Sequence, residues 1–182
     1  MTEKQLKGVL ASCSSRRYGA RDRAILAVSH YAGLRAKELA ALTLDNVKDS
    51  EGAIRNEFLL VGSQTKGGKS RRVFISKKLR KELDQYLKAV KLRAICPSLF
   101  QSQKGAAFSA NTMCQLMIGI YRGVGLEGAT SHSGRRSLIS SLANKGVSVK
   151  VLAEIAGHSS IQTTSRYILV NDELLRTAIE MI

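Results

Sequence analysis

Apolar positions along this chain recur mostly at helical spacing, with one interval at strand spacing. Thr2 with Gln5 makes a capping-box pattern ahead of Leu6, Val9 and Leu10, which predicts a short amphipathic helix. A basic break from Ser14 to Arg21 follows. Asp22 is placed to cap a second helix through Ala24, Ile25, Val28 and Ser29, which Gly33 closes. In the stretch Leu34 to Leu42, Arg35, Leu39 and Leu42 share one helical face. That puts an arginine at a helix start, pointing inward, with Glu38 one turn on and able to hold its guanidinium or to pair with a neighbouring cation.

From Ala53 to Ser76 the period changes. Phe58 to Val61 and Arg71 to Ile75 read as strands, and the glycines of Gln64-Thr65-Lys66-Gly67-Gly68-Lys69 suit the hairpin between them. Lys66 stands at the tip, and the sequence does not choose between Lys66 and Lys69 as the lysine that reaches a ligand. Helical spacing then resumes from Ser76 to Arg93 through Leu79, Leu83, Tyr86, Leu87 and Val90, with Pro97 beyond. Ser109 caps a further helix whose stripe of Met113, Leu116, Met117 and Ile120 reads as core, broken by Gly123 to Gly128.

Ser133 is expected to cap the next helix, through Leu138, Ile139, Leu142 and Ala143, with Gly146 at its end. Arg135 lies on that apolar face, in the first turn, where the helix dipole disfavours a cation. An anion is therefore expected there, met also by His132 and by the N–H groups of the helix start. Ser148 opens a short helix with Val149, Leu152 and Ile155, stopped by Gly157. Ser159 with Gln162 predicts another, placing Tyr167 two turns inside it. Asn171 or Asp172 starts a final amphipathic helix through Leu174, Leu175, Ala178 and Ile179, suited to dock on its own domain or on a neighbouring protomer.

Composition narrows the partner. In 182 residues, 29 Lys and Arg oppose 14 acidic residues, and the net charge of +15 is spread through the chain rather than held in a tail. Nucleic acid is the favoured partner of such a surface. With 44% hydrophobic residues the chain is globular, without an apolar run long enough for a membrane span. The first residues carry no apolar signal-peptide segment, so a cytoplasmic, DNA-associated location is expected. Cys13, Cys96 and Cys114 match no metal spacing and read as reduced thiols.

These boxes, Gly33-Leu34-Arg35-Ala36-Lys37-Glu38-Leu39, Thr65-Lys66-Gly67-Gly68-Lys69, His132-x-x-Arg135, Gly157-His158 and Tyr167, resemble in that order the catalytic domain of the tyrosine recombinases, the phage integrase family. The likeness runs from about Arg21 to Val170. It implies an α+β, mainly α fold with a small antiparallel hairpin, read as a single catalytic domain over residues 1–182; the N-terminal core-binding domain that relatives usually carry is expected to be absent from this chain, which is either a fragment of a longer integrase or a compact, single-domain type. It also implies double-stranded DNA as partner, a homotetramer on paired sites with a monomer in the absence of DNA, and neither cofactor nor metal.

By the same resemblance Arg35 and Arg135 bind the nonbridging oxygens of the scissile phosphodiester and Tyr167 attacks phosphorus. Lys66 protonates the departing 5′ oxygen, His132 and His158 hold the phosphate or move a proton, and Glu38 orders this shell. The chemistry suits these residue types. Planar guanidiniums give paired donors to a phosphoryl group gaining charge, and a phenol of pKa about 10 needs cations or a base to attack at neutral pH. The alternatives are a noncatalytic DNA-binding regulator on the same fold and a type IB topoisomerase. The chain departs from its relatives at Ser133-Gly134 and at Arg136, where many carry a leucine before the arginine and a histidine after it.

Overall fold

The computed structural model describes residues 1–65, 68–168, 175, 176, 179 and 180. Lys66 therefore lies outside the described residues, as does most of the expected final helix, of which Leu175 and Ile179 are described and exposed.

The fold is mainly helical. Helix α1 (Glu3–Ser12) has the predicted capping box, with the Thr2 hydroxyl accepting from the Gln5 amide, and it buries Leu6, Val9 and Leu10. Helix α2 (Gly19–Tyr31) begins earlier than expected. Asp22 does not cap it, because its carboxylate is buried inside the first turn between Arg16 and Arg21, at 2.8 Å from each. Ala24 to Ser29 are all buried, so α2 is surrounded on every side and forms the centre of the domain. Gly33, at φ 65, turns the chain into the short α3 (Ala36–Ala40), for which Arg35 is the N-cap residue. A single turn, α4 (Leu44–Val47), leads to the hairpin.

Strands β1 (Glu57–Leu60) and β2 (Arg71–Phe74) pair antiparallel, Phe58 opposite Val73 and Leu60 opposite Arg71. Phe58, Leu60, Val73 and Ile75 face the core. The connection is longer than a tight hairpin and includes a 3₁₀ turn at Gly62–Gln64. Helix α5 (Lys77–Ala89) and helix α6 (Ala110–Arg122) start at Ser76 and Ser109, whose hydroxyls accept the expected amides. Met113, Met117 and Ile120 are core residues, packed with α1 to α3, α5 and the sheet in one cluster.

Helix α7 (Ser133–Ala143) differs at its start. Ser133 is its first helical residue rather than its cap, and its hydroxyl accepts from the Thr130 amide, 2.9 Å away, outside the helix. His132 occupies the cap position without a side-chain capping bond. Gly134 lets α7 press on α2, since a Cβ there would sit 2.8 Å from the Ser29 hydroxyl. Helix α8 (Val149–Ala156) is capped by Ser148 and ended by Gly157 in the left-handed region, φ 57. Helix α9 (Ile161–Ser165) starts after Ser160, so Ser159 is not its cap. It also ends before Tyr167, which sits in the turn that follows, its amide bonded to the Thr164 carbonyl at 2.9 Å. A second, smaller cluster of Ile139, Ala143, Leu152 and Ala156 joins α7 to α8, and Leu142, Val147, Tyr167 and Ile168 pack on it.

Candidate active site

The site is built around the C-terminal end of α8. A helix leaves its last carbonyls without intrahelical donors, and that end carries partial negative charge. Here two of them are met locally: Gly157 N–H donates to Glu154 O and His158 N–H to Ala153 O, each at 3.0 Å, the pair of bonds of a Schellman motif. The next three carbonyls each accept from an arginine brought in by a different element. Arg71 of β2 reaches Ile155 O at 3.0 Å, Arg135 of α7 reaches Ala156 O, and Arg35 at the start of α3 reaches Gly157 O at 3.1 Å.

The arginines are further fixed by the turn and the carboxylate beside them. Arg135 also donates to Gly33 O at 2.6 Å, so the left-handed Gly33 exposes the carbonyl that orients it. Glu38 is completely buried. Its Oε1 accepts from the Arg35 guanidinium at 2.9 Å, and its Oε2 accepts from the Arg35 amide at 2.8 Å and from Arg71 at 2.9 Å. Burial alone raises the Glu38 pKa, but Arg71 and Arg35 outweigh it and hold the carboxyl below its ordinary range. Arg135, 5% exposed, is pushed down to about 9 by burial and by Arg35, and it stays cationic at neutral pH. Three guanidiniums thus meet at the end of α8 with one carboxylate, which bonds Arg35 and Arg71, so the charge of this set is positive.

His158 follows directly from the Schellman turn. Its Nδ1 bonds to the hydroxyl of Thr164, itself fully buried, at 2.8 Å. Burial first, then Arg135, Arg35 and Arg71, push its pKa down to about 4, so the imidazole is neutral at pH 7. The Tyr167 ring lies 6.1 Å from that imidazole, centroid to centroid. Ser140 of α7 donates to the Tyr167 carbonyl at 3.1 Å, and the Arg136 guanidinium lies 5.9 Å from the tyrosine ring centre. His132 sits at the exposed start of α7, one turn before Arg135.

The arrangement has the shape of an anion site with a phenol at its edge. Among the described residues, no cluster of three or more His, Cys, Asp or Glu could hold a metal ion, and no helix is long and apolar enough to cross a membrane. The phage integrase family pattern matches residues 1–173. This chain belongs to the phage integrase family.

As a member of that family it is 32% identical, over 183 residues, to tyrosine recombinase XerA of Pyrococcus horikoshii, covering 99% of this chain and 60% of that protein. The XerA recombinase crystal structure superposes on this integrase-family chain with a TM-score of 0.79 at 25% identity, over all of this chain and 64% of the other. The fold is shared with the Tn1549 transposon integrase, solved in complex with a circular intermediate DNA, at a TM-score of 0.78 and 19% identity, over all of this chain and 65% of that one. The chain therefore spans less than two thirds of the length of these relatives.

Of the residues singled out from this integrase-family sequence, Arg35, Glu38, Arg135, His158 and Tyr167 converge around the end of α8, and His132 lies at the start of α7. Lys66 is outside the described residues, whereas Lys69 is described and exposed. The residue missed was Arg71. Its signal was present: strand alternation puts Arg71 on the same face as Val73 and Ile75, a third inward arginine ahead of an apolar run. Thr164, which holds His158, carried no comparable signal.

Proposed function

We propose that this chain is the catalytic domain of a site-specific DNA recombinase that cuts and rejoins strands by transesterification through Tyr167. The observation that carries this reading is the set of guanidiniums anchored on α8 beside the His158–Tyr167 pair. A phosphodiester entering the site meets fixed cations in excess of the carboxylate, and its phosphoryl oxygens gain charge during displacement. Arg35 and Arg135 bind those nonbridging oxygens, and Glu38 orders Arg35.

Tyr167 Oη forms a bond to phosphorus while the bond from phosphorus to the 5′ oxygen breaks, leaving a 3′-phosphotyrosyl linkage. Lys66 supplies the proton the 5′ oxygen takes up. His132 and His158 hold the phosphate or move a proton, and a neutral His158 is in the form able to accept the one that Tyr167 Oη gives up as it bonds phosphorus. A 5′-hydroxyl from a partner strand then attacks the phosphotyrosine and releases Tyr167. Guanidinium and ammonium groups supply the positive charge, so the reaction proceeds without metal or nucleotide.

Double-stranded DNA is the substrate, in keeping with the net charge of +15 and with the DNA bound to the Tn1549 integrase that shares this fold. Exchange between two duplexes breaks every participating strand once. One tyrosine per broken strand calls for a homotetramer on paired sites, assembled from monomers on DNA.

The test is a supercoiled plasmid carrying two copies of the DNA that flanks this gene, incubated with the protein in EDTA. Deletion or inversion between the copies is expected. Relaxation without exchange would overturn the recombinase reading in favour of a topoisomerase, and binding with neither would leave a noncatalytic regulator.

A further inference from the structure

The third arginine has a role that the phosphate-binding pair does not fill. The Arg71 side chain is only 10% exposed, and it points inward from the first position of β2. Its two terminal nitrogens are used, one by Ile155 O and one by Glu38 Oε2, and its Nε is buried without a partner. It is too enclosed to be an outer DNA contact. Glu38, meanwhile, bonds the Arg35 guanidinium and the Arg35 amide as well as Arg71. A carboxylate paired to Arg35 alone would cancel the charge that Arg35 presents to a phosphate.

We propose that Arg71 is a positioning residue that serves as the standing counterion of Glu38, so that Glu38 fixes the direction of the Arg35 guanidinium without neutralising it. This rests on the transesterification reading above. With Arg71 in place, the Arg35, Arg71 and Glu38 set keeps one positive charge, and Arg135 adds another. Without Arg71, Arg35 and Glu38 form a closed pair in a buried, low-dielectric setting, where that pairing is strongest. The contact with Ile155 O ties the same residue to the end of α8, from which His158 projects.

The account separates a charge role from a bracing role by a double-mutant cycle. The readout is the single-turnover rate of SDS-resistant adduct formation on a nicked duplex made from the DNA flanking the gene, with urea midpoints measured alongside. Arg71→Met is expected to slow adduct formation by about tenfold or more, and Arg71→Lys by much less. Arg71→Met combined with Glu38→Gln is expected to recover most of the rate, because removing the carboxylate's charge restores the surplus on Arg35. A double variant as slow as Arg71→Met, or slower, would overturn the proposal in favour of a purely structural brace.

Should Arg71→Met not fold, the same comparison runs in the Glu38→Gln background. There the loss of Arg71 is expected to leave the rate within about twofold, and a tenfold fall would overturn the proposal. Equal rates for wild type and Arg71→Met would overturn it while leaving the transesterification reading intact. A wild-type protein that forms no adduct would overturn both.

Discussion

Arg135 donates from the first turn of α7 to the carbonyl of Ala156 at the end of α8, and its other terminal nitrogen meets Gly33 O at 2.6 Å. One guanidinium thereby joins α7, the α2–α3 turn and α8 at the point proposed for the phosphate. Lysine carries the charge but not the fork. Arg135→Lys is therefore expected to slow adduct formation by roughly 10²–10³-fold. It should also destabilise the fold by about 1–3 kcal/mol for a carbonyl left without its donor. Single-turnover kinetics and urea unfolding measure the two effects separately.

Glu38 makes stability depend on pH. Its folded pKa is depressed by Arg71 and Arg35, so its contribution is fully present above the ordinary carboxylate value of 4.5 and is lost as pH falls through the lower folded value. Glu38→Ala leaves two half-buried cations without their shared carboxylate and is expected to cost about 3–5 kcal/mol at pH 7. The gap between wild type and variant should narrow as pH falls below 4.5. Urea midpoints for both proteins across that range check the sign. A gap that stays constant there would contradict it.

His158 should be neutral in the free protein. Its imidazole proton resonance is expected to titrate near pH 4 instead of near 6.5, because burial and three arginines oppose protonation. Its depressed pKa adds stability above pH 6.5 that is lost as pH falls toward 4. On the proposed function, a bound duplex places a phosphate among those arginines and weakens their repulsion. The midpoint should then move upward, which an NMR titration with and without duplex reads directly.

Gly157 is placed by two constraints at once. Its φ of 57 disfavours any other residue, and a Cβ there would lie 2.5 Å from the Arg71 side chain. Gly157→Ala is expected to destabilise the protein by about 1–2 kcal/mol from the backbone alone. Because His158 and the Arg71 contact move with that turn, adduct formation should fall as well. Thermal unfolding and the adduct rate test both parts.

Much of this was legible along the chain where one short stretch determines the outcome. Thr2, Ser76, Ser109 and Ser148 announce their helices because a cap and its amide are three residues apart. Arg35 and Arg135 stood out as cations on apolar faces. Ser133 and Asp22 misled because their side chains take other partners: Ser133 bonds Thr130 outside the helix, and Asp22 is claimed by Arg16 and Arg21. Arg71 became evident when folding joined it to Ile155, 84 positions away, and to Glu38, 33 away. The turn that holds Tyr167 likewise depends on Ser140 of another helix.

The central claim is that Tyr167 takes up DNA phosphate without a metal. It is tested most directly by incubating the protein in EDTA with a nicked duplex from the DNA flanking its gene, then digesting the SDS-resistant product for mass spectrometry. The account predicts a covalent adduct on the peptide containing Tyr167, and none from Tyr167→Phe. An adduct that survives in Tyr167→Phe, or tight binding by the wild type with no adduct, would contradict it.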